Sequence, residues 1–88
     1  MPEISRFYGI VIKMYFQKSE HNPPHIHAFY QDYIVAISIK DLEVLSGGFP
    51  TTALKLVNEW INIHRDELLK IWATQEFKEI EPLIKRKW

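Results

Sequence analysis

The sequence predicts an α+β domain, in which a three- or four-stranded antiparallel β-meander precedes a long C-terminal helix packed on one face of the sheet. Apolar and polar residues alternate within residues 7–46, whereas from residue 51 the apolar residues recur at steps of three and four. The connections between the predicted strands are short. Because a parallel crossover needs a dozen or more residues, the strands are expected to be antiparallel.

The alternating pattern predicts the strands one by one. The first covers residues 10–16, the second His25–Tyr30 and the third Ile34–Ile39. Gln31-Asp32 separates the second strand from the third and predicts a tight hairpin, although it lacks the glycine that such turns favour. A short fourth strand is expected at Glu43–Leu45. The apolar face of the first strand consists of its even positions, Ile10, Ile12, Met14 and Phe16.

A helix is predicted from Thr51 to about Glu76. Pro50 suits its first turn, because the missing N–H of proline would be unpaired there. A single helix of this length would measure roughly 39 Å. We expect it to be continuous or mildly kinked, and the alternative is a split within residues 62–67, with Asp66 as a second N-cap. The apolar stripe of the helix contains Ala53, Val57, Trp60, Ile61, His64, Leu68, Ile71 and Trp72.

The 88 residues are expected to form a single domain, with a core at residues 1–77 and a C-terminal tail at residues 78–88. Leu83, Ile84 and Trp88 are candidates for pinning this tail. The absence of cysteine excludes disulfides, thiolate metal sites and cysteine nucleophiles. No secretory signal and no apolar run of membrane-spanning length is visible, so we expect a cytoplasmic protein without membrane contact.

Charge composition limits the partners. Eleven basic and eleven acidic side chains give a formal net charge of zero. Such a domain is not built around a dominant phosphate-binding field, so any contact with nucleic acid must be local. The basic run Lys85–Lys87 is a local excess, and we expect it to form a solvated tail.

The most unusual surface feature is the histidine cluster His21-Asn-Pro-Pro-His25-Ile-His27. Its two prolines stiffen the backbone and favour extended geometry in the residues before them. On a strand, His25 and His27 project to the same face, about 7 Å apart. Ile26, Ala28 and Tyr30 then face the core. Lys13 and Tyr15 join the histidine face if the first two strands pair in a suitable register.

The cluster has three functional interpretations. Acid–base chemistry on RNA would use His25 and His27 as catalytic residues, with Lys13 and Tyr15 steadying a phosphate. A metal site would use His21, His25 and His27 as three nitrogen ligands, with zinc as the expected ion. A protein interface would use the stiff segment and its aromatic neighbours as a docking surface. The structural interpretation is that the histidines cap strand ends and form local hydrogen bonds.

Several segments of the chain together resemble a known family. They are Met1–Ile10, His21–Ala28, Ala53–Val57, Glu59-Trp60 and His64–Leu69. The chain closely resembles the bacterial domain of unknown function family 4160 over roughly residues 1–75. The resemblance implies a gene that often neighbours a second small domain, in a pair of toxin–antitoxin type.

The leading hypothesis is therefore a component of a small bacterial toxin–antitoxin-like module, acting on RNA through its histidine cluster. The expected partner is a cognate small protein or a second copy of the chain, and no cofactor is expected. The alternatives are a zinc-binding domain and a protein–protein interaction module without catalysis.

Overall fold

The computed structural model describes residues 2–15 and 23–84. Within these ranges the chain forms five strands followed by one long helix. The elements are β1 (Glu3–Phe7), β2 (Ile10–Lys13), β3 (His25–Tyr30), β4 (Tyr33–Ser38), β5 (Val44–Gly47) and α1 (Thr51–Thr74). The strands pair antiparallel in chain order, as the meander prediction required. The α+β class is thus confirmed, but the expected count of three or four strands is wrong.

The additional strand is β1, at the start of the chain. It pairs with β2 through a two-residue turn at Tyr8 and Gly9, which have φ values of 50° and 80°. Two successive left-handed residues match the twist of a tight hairpin, and glycine at the second position makes this turn favourable. A register irregularity between Glu3 and Ser5 interrupts the alternation in β1, so Ile4 and Ser5 are both buried. The strand therefore lacks the period-two pattern on which its prediction would have depended.

The remaining strands lie close to their predicted positions. The first predicted strand ends earlier as β2 at Lys13, and its expected last residue, Phe16, lies outside the described residues. The tight hairpin between β3 and β4 forms without glycine, because Gln31 itself adopts a φ of 53°. At Gly47, φ is +74° and an added Cβ would overlap the carbonyl oxygen of Ile34. Glycine is therefore required where β5 lies against β4.

Helix α1 is kinked, in agreement with the prediction of a continuous or mildly kinked helix. His64 has non-helical dihedral angles, φ −110° and ψ 18°. The neighbouring Arg65 donates through Nε to the carbonyl oxygen of Ile39, at 2.9 Å, and so joins the kink to the residue that follows β4. The helix ends at the left-handed residue Gln75, whose N–H donates to the carbonyl of Ile71.

The core lies between α1 and one face of the sheet, which we call the inner face. Residues Ile10, Ile12 and Met14 are fully buried there, as predicted. Trp60 of the helix is also fully buried, with its ring centroid 5.7 Å from that of Phe7. Other members of the same apolar cluster are Ile4, Ile26, Ala28, Val35, Ile37, Val57, Ile61, Leu68 and Ile71.

The segment after α1 returns to the first strand. The Ile80 N–H donates to the carbonyl of Ile4 at 2.8 Å, and the Trp60 indole N–H donates to the carbonyl of Glu81 at 2.8 Å. Leu83 is buried, as expected of a pinning residue, whereas Ile84 is 77% exposed, so that part of the prediction is wrong. Trp88 and the basic run before it lie outside the described residues.

Within residues 2–15 and 23–84, no helix combines the length and apolar character needed to cross a membrane.

Candidate functional site

The candidate site lies on the face of the sheet that points away from the core, which we call the outer face. The strand register places His27 of β3 directly opposite Lys13 on β2 and, on its other side, opposite Ala36 on β4. Ala36 is in turn opposite Ser46 on β5. Directly opposed residues of an antiparallel pair point to the same side. The prediction that Lys13 shares the histidine face is therefore confirmed.

Alternation along β3 also agrees with the prediction. Ile26 and Ala28 are fully buried in the core, while His25 and His27 face the other way. Their ring centroids are 5.1 Å apart in an edge-to-face arrangement. Tyr15 joins them, because its ring stacks on that of His27 with a centroid distance of 4.3 Å and an interplanar angle of 10°.

His25 is held on several sides. Its Nδ1 lies 2.9 Å from the carbonyl oxygen of Pro23. A carbonyl only accepts, so this contact assigns the hydrogen to Nδ1 and leaves Nε2 with the lone pair of the neutral imidazole. The ring of Trp72, near the end of α1, lies 5.1 Å from the His25 ring. Only 8% of His25 is exposed, so this histidine is more buried than a surface site predicts.

His27 is half-buried and differs chemically from its neighbour. Burial lowers the pKa of its imidazole below the ordinary value of 6.5, and the nearby charge of His25 lowers it further. Its Nδ1 is buried without a hydrogen-bond partner among the described residues. Because the imidazolium needs acceptors for both ring N–H groups, this environment favours the neutral ring near pH 7.

A pocket of about 300 Å³ opens beside the two imidazoles. One side is formed by Tyr15, Pro23 and the two histidines, and the other by Ala36, Leu45 and Ser46. Three of the four predicted catalytic residues thus line one pocket. The fourth, Lys13, lies outside the lining and places its Nζ 5.0 Å from the ring centroid of Phe29.

The three-histidine metal site stays a prediction. Its ligand His21 lies outside the described residues. In the described part of the chain, no group of three histidine, cysteine or acidic side chains is arranged to hold a metal ion. His25 and His27 would therefore supply two ligands, and a third would have to come from elsewhere.

A family model described as a domain of unknown function (DUF4160) matches residues 9–73, which is most of the chain. The chain belongs to this family. The DUF4160 match runs from the β1–β2 turn almost to the end of α1 and contains Lys13, Tyr15, His25 and His27. No curated protein and no solved structure matches the chain.

The sequence analysis did not predict the side of this pocket that β4 and β5 form. Leu45 and Ser46 reach the histidines only through the register of β3 with β4 and of β4 with β5. That register includes an irregularity between Ala36 and Ile37, which no pattern in the sequence indicates. Trp72 was assigned to the apolar stripe of the helix, and its contact with His25 was not predicted.

The fourth histidine lies away from this pocket. His64 is at the helix kink, with its ring centroid 5.4 Å from that of Trp60 and its Nδ1 3.1 Å from Oε1 of Glu67. Its hydrogen bond lowers the pKa of the Glu67 carboxyl. His64 is therefore a hydrogen-bonded histidine at the rim of the core, as its position on the apolar stripe indicates.

Proposed function

We propose that this domain is a component of a small bacterial toxin–antitoxin-like module in the cytoplasm and acts on RNA through its outer face. The observation that carries the proposal is the half-buried His27, stacked on Tyr15 and directly opposite Lys13, with its pKa lowered by burial. A base, an aromatic surface and a cation side by side are the groups that RNA chemistry needs. The toxin–antitoxin context comes from the family resemblance.

The sheet surface suits single-stranded RNA. Proteins that bind unpaired RNA on an antiparallel sheet stack its bases on exposed aromatic rings and contact its phosphates with basic side chains. Tyr15, two residues after β2, and His27 and Phe29 on β3 supply partly buried rings, and Lys13 supplies the cation. Because this arrangement pairs a single lysine, Lys13, with the RNA phosphates, few counterions are released and we expect binding to depend only weakly on salt.

The proposed reaction is cleavage of the RNA chain by its own 2′-hydroxyl. Neutral His27 accepts the hydroxyl proton, the 2′ oxygen forms a bond to the adjacent phosphorus, and the bond from phosphorus to the 5′ oxygen breaks. His25 acts in its imidazolium form: its Nδ1–H stays hydrogen-bonded to the Pro23 carbonyl while its Nε2–H protonates the leaving 5′ oxygen, which leaves the neutral Nδ1–H ring. The products are a 2′,3′-cyclic phosphate and a 5′-hydroxyl end.

Glutamine variants of the two histidines test this proposal. Glutamine retains polarity and similar bulk but cannot titrate, and a general acid or base typically contributes about 10²- to 10⁴-fold to the rate. We expect His27→Gln and His25→Gln to abolish both RNA cleavage and growth arrest on overexpression. Melting temperatures of the same proteins are the control. Loss of toxicity only in proportion to lost stability would make the histidines structural, and a harmless wild-type protein would end the nuclease proposal.

Zinc binding is the second candidate function, and the orientation of His25 favours it. A metal-binding histidine commonly donates its other ring N–H to a carbonyl, as His25 does to Pro23. His21, His25 and His27 would be the ligands. Calorimetric titration should then detect stoichiometric zinc near neutral pH and its release on acidification. Equal binding by the wild type and a His25→Ala/His27→Ala variant would exclude this site.

A protein partner completes the proposed module. Tyr33 and Ile34, consecutive residues at the start of β4, are exposed by 47% and 53%. Neighbouring exposed apolar side chains are typical of interaction surfaces. The candidates are a cognate small protein and a second copy of this chain. The solution mass of the protein, alone and after co-expression with the product of the neighbouring gene, distinguishes them.

A further inference from the structure

The outer-face pocket has a wall from β5 that acid–base chemistry by the two histidines does not require. The two imidazoles could act on a phosphodiester at an open surface, yet β5 contributes a second wall through Leu45 and Ser46. The pocket is open to solvent, and its volume of about 300 Å³ lies at the small end of the range of ligand sites, about 300–1,000 Å³. The pocket therefore has room for one small ring system and not for a long chain segment.

The lining indicates what kind of ring fits. Tyr15 and His27 provide flat rings that are stacked on each other, so a further ring can stack on the free face of this pair, and Leu45 provides an apolar side chain. Ser46 adds a hydroxyl that can both donate and accept a hydrogen bond. Flat rings favour a planar partner, because base–aromatic stacking depends on contact between π faces. A planar ring with hydrogen-bonding edges, such as a nucleobase, matches both properties.

The basic side chain that could bind a phosphate lies outside this pocket. Apart from the two imidazoles, none of the residues that line it is ionisable near neutral pH. The nearest cation in the strand register is Lys13, which is opposite His27 but outside the pocket lining. A nucleotide would therefore place its base inside the pocket and its phosphate on the Lys13 side of His27.

We infer that this pocket receives one unstacked base of a single-stranded RNA, and that Leu45 and Ser46 of β5 select it. The inference rests on the proposed function and adds which part of the RNA enters the pocket. Two strands then have separate tasks. Residues on β3 perform the chemistry, and residues on β5 determine which base lies beside the cleaved bond.

Strand β5 offers a matched pair of variants. Leu45 and Val44 are neighbours with nearly equal exposures of 39% and 41%, but Leu45 lines the pocket and Val44 does not. Leu45→Ala removes part of the pocket wall, and Val44→Ala is its control. Ser46→Tyr fills the pocket from an exposed edge position where an aromatic residue suits a strand.

The measurement is binding of single-stranded hexamers of adenylate and of uridylate, followed by fluorescence anisotropy. AMP and UMP titrations of ¹⁵N-labelled protein identify the amides involved. Loss of a stacked base typically weakens binding by about 5-fold or more. We expect Leu45→Ala and Ser46→Tyr to weaken hexamer binding by at least about 5-fold and to alter the preference between the two bases. Val44→Ala should leave both unchanged.

Two results would overturn the inference in distinguishable ways. If the hexamers bind but both pocket variants behave like Val44→Ala, the base lies elsewhere, while RNA binding by the outer face stands. If neither the hexamers nor the mononucleotides bind the wild-type protein, the inference and the proposed function fail together.

Discussion

The two faces of the sheet are built from the same strands but are buried by different means. On the inner face, α1 covers apolar side chains such as Ile26 and Ile37 completely. On the outer face, Ala36 and Ser38 are only 4% and 3% exposed, although the helix core lies on the opposite side. Larger side chains around them, including the imidazoles directly opposite on β3, shield them. Burial on the inner face therefore stabilises the fold, whereas burial on the outer face lowers the pKa of His27.

The largest expected difference between the faces is in stability. Ile26→Ala removes a fully buried inner-face side chain and should lower the free energy of unfolding by about 2–5 kcal/mol. His27→Gln, one residue later on the outer face, should lower it by about 1 kcal/mol or less. Chemical denaturation of both variants measures the difference. Equal losses would mean that the outer face is as much a part of the core as the inner face.

A smaller effect is expected where β5 joins the sheet. Gly47→Ala introduces a Cβ that overlaps the Ile34 carbonyl and leaves alanine at a left-handed φ, which should cost about 1–3 kcal/mol. Gly48→Ala is the matched control, because a Cβ there meets nothing within 4 Å. We expect its effect to stay within about 0.5 kcal/mol. Thermal unfolding of both variants provides the comparison, and similar melting temperatures would show that β5 adapts without cost.

The smallest expected effect is the pH dependence that His27 confers. Its folded-state pKa is lowered, mainly by burial, so below pH 6.5 the unfolded chain binds the proton more readily than the folded chain. This histidine therefore makes the protein less stable as the pH falls through 6.5 towards the folded-state pKa, and has no effect well above 6.5. Unfolding free energies at several pH values should decline less on acidification in His27→Gln than in the wild type. An equal decline of the unfolding free energy in both proteins would contradict the prediction.

Tyr15→Ala provides an independent measurement on the same ring. Removing the stacked phenol exposes the His27 imidazole, so the pKa of His27 should rise towards its ordinary value. NMR titration of the His27 ring protons reports this directly. Tyr33→Ala, which removes an exposed ring elsewhere on the sheet, should leave the titration unchanged.

Local pattern explains which parts of the fold the sequence predicts. β3 and α1 were predicted nearly to the residue, because their apolar periods run uninterrupted from His25 to Tyr30 and from Thr51 to Thr74. β1 was missed because the irregularity near Glu3 places two consecutive side chains inside. The sequence contained one usable indication, the Tyr8-Gly9 dipeptide between apolar residues.

The candidate site likewise has one part that local pattern predicts and another that it does not. Alternation within β3 was sufficient to place both histidines on one face. It could not distinguish them, because the contacts of His25 with Pro23 and Trp72 depend on how the strand end meets the helix. The β5 wall required two strand registers and an irregularity, none of which a single sequence determines.

The hydrogen bond from Ile80 to Ile4 affects how the protein is made. During synthesis, β1 emerges before the other strands and α1, whereas the segment at Ile80 that pairs with β1 emerges after α1. Until then, the nascent chain presents a free strand edge, which can pair with other chains and promote aggregation. Emergence of residues 80 and 81 adds the hydrogen bond to Ile4 and gives the Trp60 indole N–H its acceptor at Glu81. A ribosome that stalls before residue 80 therefore leaves an aggregation-prone product, although all five strands and the helix have already been synthesised.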